Sequence, residues 1–378
     1  MSLVFYDDSP VFGGHEVMAL SGLEALLDAY PSRVTFFVSK ANVTLLEHLN
    51  GLSHKHGHLV IELVDWNSSK LEAIRNILQP SRIAKLSLML AQANASLVVS
   101  IQGNIEHSSL SLYACKQANI RCISYIPVPH SNHVMGAKMG WLRDMFAKRI
   151  FLLPSAFITI SEEMKRLLIE RGAEAPVKIV YNGIDTARFN SGNCGHARAE
   201  LNLPQDKVLV GIVGRVEFRQ KQQHLLVKAV SSDPELLEKC HLVFAGDGPD
   251  AGHLKKVLDE EVISYSIFPW CDTAPLYKAL NAIVIPSRYE GLPLVMLEAL
   301  SSGTTVFGSD RDGMRDVLPE KWRFTDSDAT QLSKLLKEWI ANGCSGPKRA
   351  LIERVRSEMS QQEFRKSFVE EILRGLVN

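Results

Sequence analysis

At 378 residues the chain exceeds the usual domain of about 100–200 residues and has room for two domains with separate cores. Lysine plus arginine (42) balance aspartate plus glutamate (42), which argues against a nucleic-acid binder that lives on phosphate neutralisation. With 46% hydrophobic and 22% charged residues, the composition also lies outside the low-hydrophobicity, high-charge range where chains stay disordered.

The first segment, Met1 to Tyr6, enters an apolar run that stops at Asp7 and Asp8, with no basic leader or small-residue cleavage site, so no export signal is expected. Strands are predicted at Leu3 to Tyr6, Val34 to Val38, Leu59 to Val64, Leu97 to Ile101, Cys122 to Ile126, Phe157 to Ile160 and Lys178 to Tyr181. A second set follows at Val208 to Val213, His241 to Ala245, Ser264 to Phe268, Ala282 to Ile285 and Thr304 to Phe307. Helical patterns separate them, and that alternation demands parallel strands with crossover helices on both faces, an α/β doubly wound sheet in each half. Gln92, Asn94, Gln102 and Asn104 interrupt the uncharged run Leu86 to Ile105, which therefore reads as a buried helix feeding a strand rather than a membrane span. His54, His56 and His58 fall in a turn-rich stretch without a cysteine or carboxylate beside them and read as solvated loop. In residues 133–153, Trp141, Leu142, Met145, Phe146 and Ile150 share a helix with Lys138, Arg143, Lys148 and Arg149. Such a stripe reads as core packing, with peripheral contact on an anionic membrane the alternative. Ser161, Glu162 and Glu163 open a helix that Gly172 closes.

The polar stretch Asn182 to Gln205, with Asn190, Ser191, Gly192, Asn193 and Gly195, marks the expected seam. It separates a first domain over 1–190 from a second over 191–357, with a terminal helix over 358–378 returning to the first. Lys348 to Asn378 reads as helical throughout. The six cysteines (Cys115, Cys122, Cys194, Cys240, Cys271 and Cys344) form no CxxC pair and read as reduced thiols of a cytoplasmic protein.

Chemistry concentrates in Ile283 to Gly303, where a strand ends at Pro286, a loop carries Glu290 and Gly291, and a helix runs from near Pro293 to Gly303. That helix is apolar on every side except Glu298, so burial all round is expected, and Glu298 then needs a partner such as a pair of ligand hydroxyls. Glu290 before the helix and Glu298 inside it suit the two ends of an extended ligand whose central anion rests on the helix N-terminus. In Gly211 to Lys221 a strand runs into the turn at Gly214, followed by Arg215 and Lys221, a pair able to neutralise a diphosphate. Gly246 to Pro249 and Gly13-Gly14 supply further close-approach turns. Asp310-x-Asp312 and Asp326-x-Asp328 read as local backbone partners rather than metal ligands, and no metal site is expected.

With these segments in order, the sequence resembles the retaining GT-B glycosyltransferases of family 4, the glycosyl transferases group 1. The resemblance rests on the Gly13-Gly14 loop, FITISEEMKRLL (157–168), VKIVYNGIDTARF (177–189), GRVEFRQK (214–221), FAGDGP (244–249) and the E-x7-E pair Glu290 and Glu298. It implies two Rossmann-like domains facing each other across a cleft, the first binding acceptor and the second binding donor. It also implies transfer of a hexose-type sugar from a UDP- or GDP-sugar to a glycan or lipid-linked acceptor, with retention and without metal or cofactor, in polysaccharide, lipopolysaccharide or glycoconjugate biosynthesis. By the same resemblance Arg215 and Lys221 grip the diphosphate, Glu290 faces the sugar, Glu298 binds the ribose, and Gly13 and Gly14 let backbone approach the phosphates. Gly214, Gly246, Gly291, Leu292, Leu294 and Val295 complete the donor contacts. A histidine after an N-domain strand touches the sugar: His130 is the candidate, with His133 and His107 as competitors. Three positions depart from the family pattern: Gln222 and Asp312 stand where glycine is common, and Asp316 where glutamate is. A sugar-nucleotide epimerase or hydrolase of the same fold, or a non-catalytic nucleotide-sugar binder, is the rival reading.

Overall fold

The computed structural model describes residues 2–192 and 194–377; Asn193, part of the expected seam, lies outside the described residues, as do Met1 and Asn378. The chain divides into two units, one of residues up to Gly183 together with those from Gln361 onward, the other Ile184–Ser360.

In the first unit, β1 (Ser2–Asp7), β2 (Val34–Ser39), β3 (Leu59–Val64), β4 (Ala95–Ile101), β5 (Arg121–Tyr125), β6 (Ala156–Thr159) and β7 (Val177–Ile179) form a parallel sheet. Its order is β3-β2-β1-β4-β5-β6-β7. All six residues of β2 are buried, which explains why the run VTFFVS shows no alternation: a strand covered on both faces has no polar side. The winding reverses between β1 and β4, and loops from those two strand ends meet at the switch point.

The second unit repeats the plan with β8 (Val208–Val213), β9 (Cys240–Ala245), β10 (Tyr265–Phe268), β11 (Ala282–Ile285), β12 (Thr305–Ser309) and β13 (Arg323–Phe324), ordered β10-β9-β8-β11-β12-β13. Its switch point lies between β8 and β11. The two-residue β13 was not anticipated, being too short to carry a pattern.

Three expectations about helices are corrected. The terminal stretch is two helices, Arg349–Glu358 and Gln361–Val377. They part because the Ile184 N–H donates to the Met359 carbonyl at 3.0 Å and Ser360 pairs with Ile184 as a parallel bridge. The second of them buries Phe364, Phe368, Ile372 and Leu376, spaced by four, in the first unit. Phe368 lies so close to the helix Gly14–Ala29 that a Cβ on Gly22 would come 2.5 Å from its ring. The helix Pro80–Gln92 buries Leu86 and Leu90 but exposes Leu88, so it is amphipathic rather than enclosed. His54 belongs to the helix Val43–Lys55, and His56, its buried C-cap, meets His58 edge-on at 6.0 Å between ring centroids. Ser161 caps its helix by accepting from the Met164 N–H, and Gly172 ends it at φ +100°. Among the described residues no helix is long and apolar enough to cross a membrane.

Candidate functional site

Two glycine turns build the floor of the second unit's site. Where β8 ends, Gly214 turns at φ +132° and its N–H donates to the Ala245 carbonyl at 2.8 Å. Gly246 (φ +128°) ends β9 so close that a Cβ there would sit 2.2 Å from the Gly214 carbonyl oxygen. The loops after β8 and β9 therefore pack backbone on backbone, an arrangement open only to glycine. The Phe218 N–H then donates to Asp250 Oδ2 at 2.7 Å, starting the short helix Phe218–Lys221 that delivers Lys221.

From the other side of the switch point, the loop after β11 delivers Glu290, and Lys221 Nζ meets Glu290 Oε1 at 2.5 Å. The pair is held by its neighbours. The Arg288 N–H donates to the Gln220 carbonyl at 2.8 Å, and Gln220 Nε2 donates to the Tyr289 carbonyl at 3.1 Å. Gln222 is buried in the left-handed region (φ +49°). Its amide donates to the Pro286 carbonyl (2.7 Å) and Asp326 Oδ1 (3.1 Å) and accepts from Arg288 Nε (2.8 Å) and Ser327 Oγ (2.8 Å).

Asp312 (φ +52°) accepts the Glu290 N–H through Oδ2 at 2.8 Å, and the Gly313 N–H donates to the Gly291 carbonyl at 2.9 Å. The departures at 222 and 312 thus stand at two supports of the glutamate loop. The reading of the two D-x-D pairs as local partners holds for Asp328, which caps its own helix. It fails for Asp312, which reaches across to Glu290, and for Asp310 and Asp326, which pair with Arg323 (2.7 Å) and Arg311 (3.2 Å).

The helix Leu294–Ser301 follows, with Pro293 as its extended N-cap (φ −63°, ψ 122°) rather than its first residue, and Gly303 (φ +86°) beyond its end. Met296, Leu297, Ala299 and Leu300 are buried, whereas Leu294, Val295 and Glu298 are half-buried. This corrects the expected all-round burial: one stripe of the helix stays partly open, and within its first turn the Met296 N–H already donates to the Pro293 carbonyl at 3.1 Å. Glu298 Oε2 accepts from Tyr277 Oη at 2.8 Å. Burial lifts its carboxyl above the usual range, against the pull of the tyrosine hydrogen bond and the Arg188 charge. Arg215 is exposed on the Gly214 turn, with Glu217 3.8 Å away. The structure therefore joins Lys221, Glu290 and Gly291 with Asp312 and Gly313, and Gly214 with Gly246. Glu298 sits on the helix that follows the glutamate loop.

Gly13, Gly14 and His130 belong to the first unit. The Gly13 N–H donates to Glu16 Oε2 at 2.7 Å; a Cβ on Gly14 would meet nothing within 4 Å. His130 is buried beyond β5, and His133 is exposed. His107 faces His15 across Gly103, where a Cβ would lie 2.6 Å from the His15 ring and 3.2 Å from His107 Nδ1. Burial, then the His15 charge, pushes the His107 imidazole down to about 4, so it is neutral at neutral pH.

A further group was not legible in the sequence: ligand atoms of Asp7, His15 and Glu16 lie within 4.8 Å of one another, a geometry that could hold a metal ion. Burial and then the Glu16 charge push the Asp7 carboxyl well up, so a proton also meets the need. Burial acts on Glu16 too, but its contacts with His15 and the Gly13 N–H bring its carboxyl down. The turn from β1 into the helix Gly14–Ala29 brings these positions to one place, Asp7 at the strand's end and His15 and Glu16 in the helix's first turn.

Residues 12–188 match the family model Glycosyltransferase Family 4, and residues 195–360 match Glycosyl transferases group 1. The chain belongs to this glycosyltransferase family. It is 29% identical over 202 residues to an uncharacterized glycosyltransferase of Methanocaldococcus jannaschii, covering 48% of this chain and 51% of that protein. It is 31% identical over 175 residues to D-inositol 3-phosphate glycosyltransferase 1 of Catenulispora acidiphila, covering 42% and 41%. The chain thus spans about half the length, or less, of these curated relatives. Over the whole fold it resembles Anabaena HepE in complex with UDP (TM-score 0.77, 16% identity, 99% and 100% covered). It is equally similar to sucrose-phosphate synthase from Thermosynechococcus elongatus (TM-score 0.77, 19% identity, 100% and 99% covered). Both members of the fold comparison share the GT-B plan of two Rossmann-like units.

Proposed function

We propose that this family member transfers a hexose-type sugar from a UDP- or GDP-sugar to a hydroxyl of a glycan or lipid-linked acceptor, with retention and without a metal ion. The observation that carries the reading is the Lys221–Glu290 pair at the β8/β11 switch point, beside the start of the helix Leu294–Ser301. As the bond from sugar to diphosphate breaks, negative charge grows on the leaving phosphate. A lysine, an arginine and helix amides stabilise that charge more in the transition state than before it. Glu290 suits sugar hydroxyls and Glu298 the ribose, each carboxylate accepting from a hydroxyl pair. Retention then needs no protein nucleophile if the departing phosphate oxygen takes the acceptor proton on the same face. UDP and UDP-glucose in the HepE complexes support a nucleotide-sugar donor and favour uridine. Six free thiols fit a reducing, cytoplasmic setting.

Calorimetry with UDP and GDP, paired with product analysis from their sugars, tests the reading. Lys221→Ala is expected to weaken nucleotide binding roughly tenfold or more, the scale of a lost charge-assisted hydrogen bond. Glu290→Gln is expected to keep or raise that affinity, because it removes the carboxylate that competes with phosphate for the lysine, while turnover collapses. Undiminished nucleotide binding in the lysine variant overturns the assignment, as does conversion of donor without an acceptor. A chelator is expected to leave turnover intact, and a strict need for added magnesium or manganese would contradict the metal-free route.

A further inference from the structure

The helix Gly140–Ala147 and the 3-10 segment Lys148–Leu152 carry two faces. Inward, Gly140, Arg143, Ala147, Ile150 and Phe151 are buried, and Arg143 Nε donates to Glu106 Oε2 at 2.8 Å, locking this face to the first unit. Outward, Trp141, Met145, Lys148, Arg149 and Leu152 recur at the spacing of one helical stripe and are all exposed. The preceding loop adds Val134, Lys138 and Met139. Trp141 is 67% exposed, Met145 56%, Leu152 55%, Met139 55% and Val134 49%. The core-packing reading of this stripe therefore accounts for only half of it.

Charge sharpens the picture. The sole carboxylate of residues 133–153, Asp144, is turned aside. It accepts from Arg171 Nη2 at 3.0 Å and from the N–H groups of Asn132 (2.8 Å) and His133 (3.0 Å). Within residues 133–153 the outward face thus presents five large apolar side chains and three cations without an exposed carboxylate, on a chain whose formal charge is zero.

We propose that this face seats the first unit on the surface of an anionic lipid bilayer. Indole, thioether and aliphatic groups enter the boundary between headgroups and acyl chains, while Lys138, Lys148 and Arg149 reach lipid phosphates on flexible stems. Interleaved apolar and cationic side chains suit a fluid interface, whose headgroups rearrange around them, better than a fixed protein surface. Contact is peripheral.

The full-length chain, without donor, is floated with vesicles of phosphatidylcholine alone or mixed with phosphatidylglycerol. Binding is expected to the mixed vesicles and to fall with salt. Lys148→Gln is expected to lower the partition coefficient about fivefold, the share of one cation near an anionic surface. Trp141→Ser is expected to lower it roughly tenfold. Both positions are exposed, so unchanged melting temperatures verify the fold. Trp141→Phe is expected to retain most binding but lose the lipid-induced blue shift in tryptophan fluorescence, which locates the contact. Equal binding to neutral vesicles, no binding to either, or undiminished binding by the variants overturns the proposal. Self-association abolished by Trp141→Ser does so too, by giving the face to a second copy. Nucleotide binding measured on the same preparations is a separate readout, so failure here leaves the transferase reading standing.

Discussion

Gln222 shows how one side chain can offset the backbone it strains. A non-glycine residue at φ +49° costs about 1 kcal/mol or more. Its amide answers with hydrogen bonds to Pro286, Arg288, Asp326 and Ser327, tying the Lys221 segment to the loop that carries Glu290. Gln222→Gly relieves the strain and cuts the tie. The expected result is a stability change within about 1 kcal/mol, because the two effects oppose, together with a severalfold rise in donor KM. Melting curves and initial rates measure the two effects.

Two glycines separate folding from function. Gly246→Ala forces a Cβ to 2.2 Å from the Gly214 oxygen at φ +128°, so it is expected to destabilise by more than about 2 kcal/mol. Gly14→Ala meets nothing within 4 Å, so its melting temperature is expected to stay put. Any activity it loses then reports on a ligand approaching that backbone. Sequence reading singled out Lys221 and Glu290, which the structure pairs, because their residue types name their chemistry; Arg215, singled out with them, lies exposed near Glu217. It missed the role of Asp312, because a carboxylate that holds a backbone N–H twenty-two positions away looks, in one dimension, like any turn aspartate.

Among elements, the helix Leu294–Ser301 links burial to pH. Its Glu298 carboxyl titrates above the ordinary 4.5 because it is buried, so the native state holds that proton more tightly than the unfolded chain does. The stabilisation is present at low pH and is lost as pH rises from about the ordinary value through the raised one. Glu298→Gln keeps an acceptor for Tyr277 Oη without the buried charge. The variant is expected to melt higher than the parent near neutral pH, with the gap closing as pH falls towards 4.5. Calorimetric scans across that range check the sign, and a gap that widens in acid contradicts it.

Strands were legible wherever burial on both faces left a run of apolar residues, as in β2 and β8. The break at Met359–Ser360 was not, because the helical pattern is continuous there and only a partner distant in sequence, Ile184, imposes the interruption. The apolar stripe of 294–301 likewise could not disclose which side stays open.

At the scale of the molecule, each unit gathers charged side chains where its winding reverses: Asp7, His15 and Glu16 beside β1, and Lys221 with Glu290 between β8 and β11. Sheet topology brings them there, since the reversal of strand order opens a crevice outside the carboxyl ends of the strands. The first unit is also discontinuous, completed by Gln361–Val377. Deleting that helix uncovers the packing of Phe364, Phe368, Ile372 and Leu376, each worth about 1.5–3 kcal/mol if fully buried. The truncated chain is expected to show an early melting step, and to lose protection from hydrogen exchange first around Gly22 and Tyr125, which Phe368 contacts. A truncated protein that melts like the parent refutes this role.

The discontinuity has a consequence during synthesis. On the ribosome, β4 and β5 wait for the helix Gln361–Val377 before their cover arrives, and the intervening unit Ile184–Ser360 is made first. Stalling or slow codons ahead of Gln361 therefore leave a nascent chain with one finished half and one greasy, unsealed half, the form most exposed to aggregation and most in need of a chaperone.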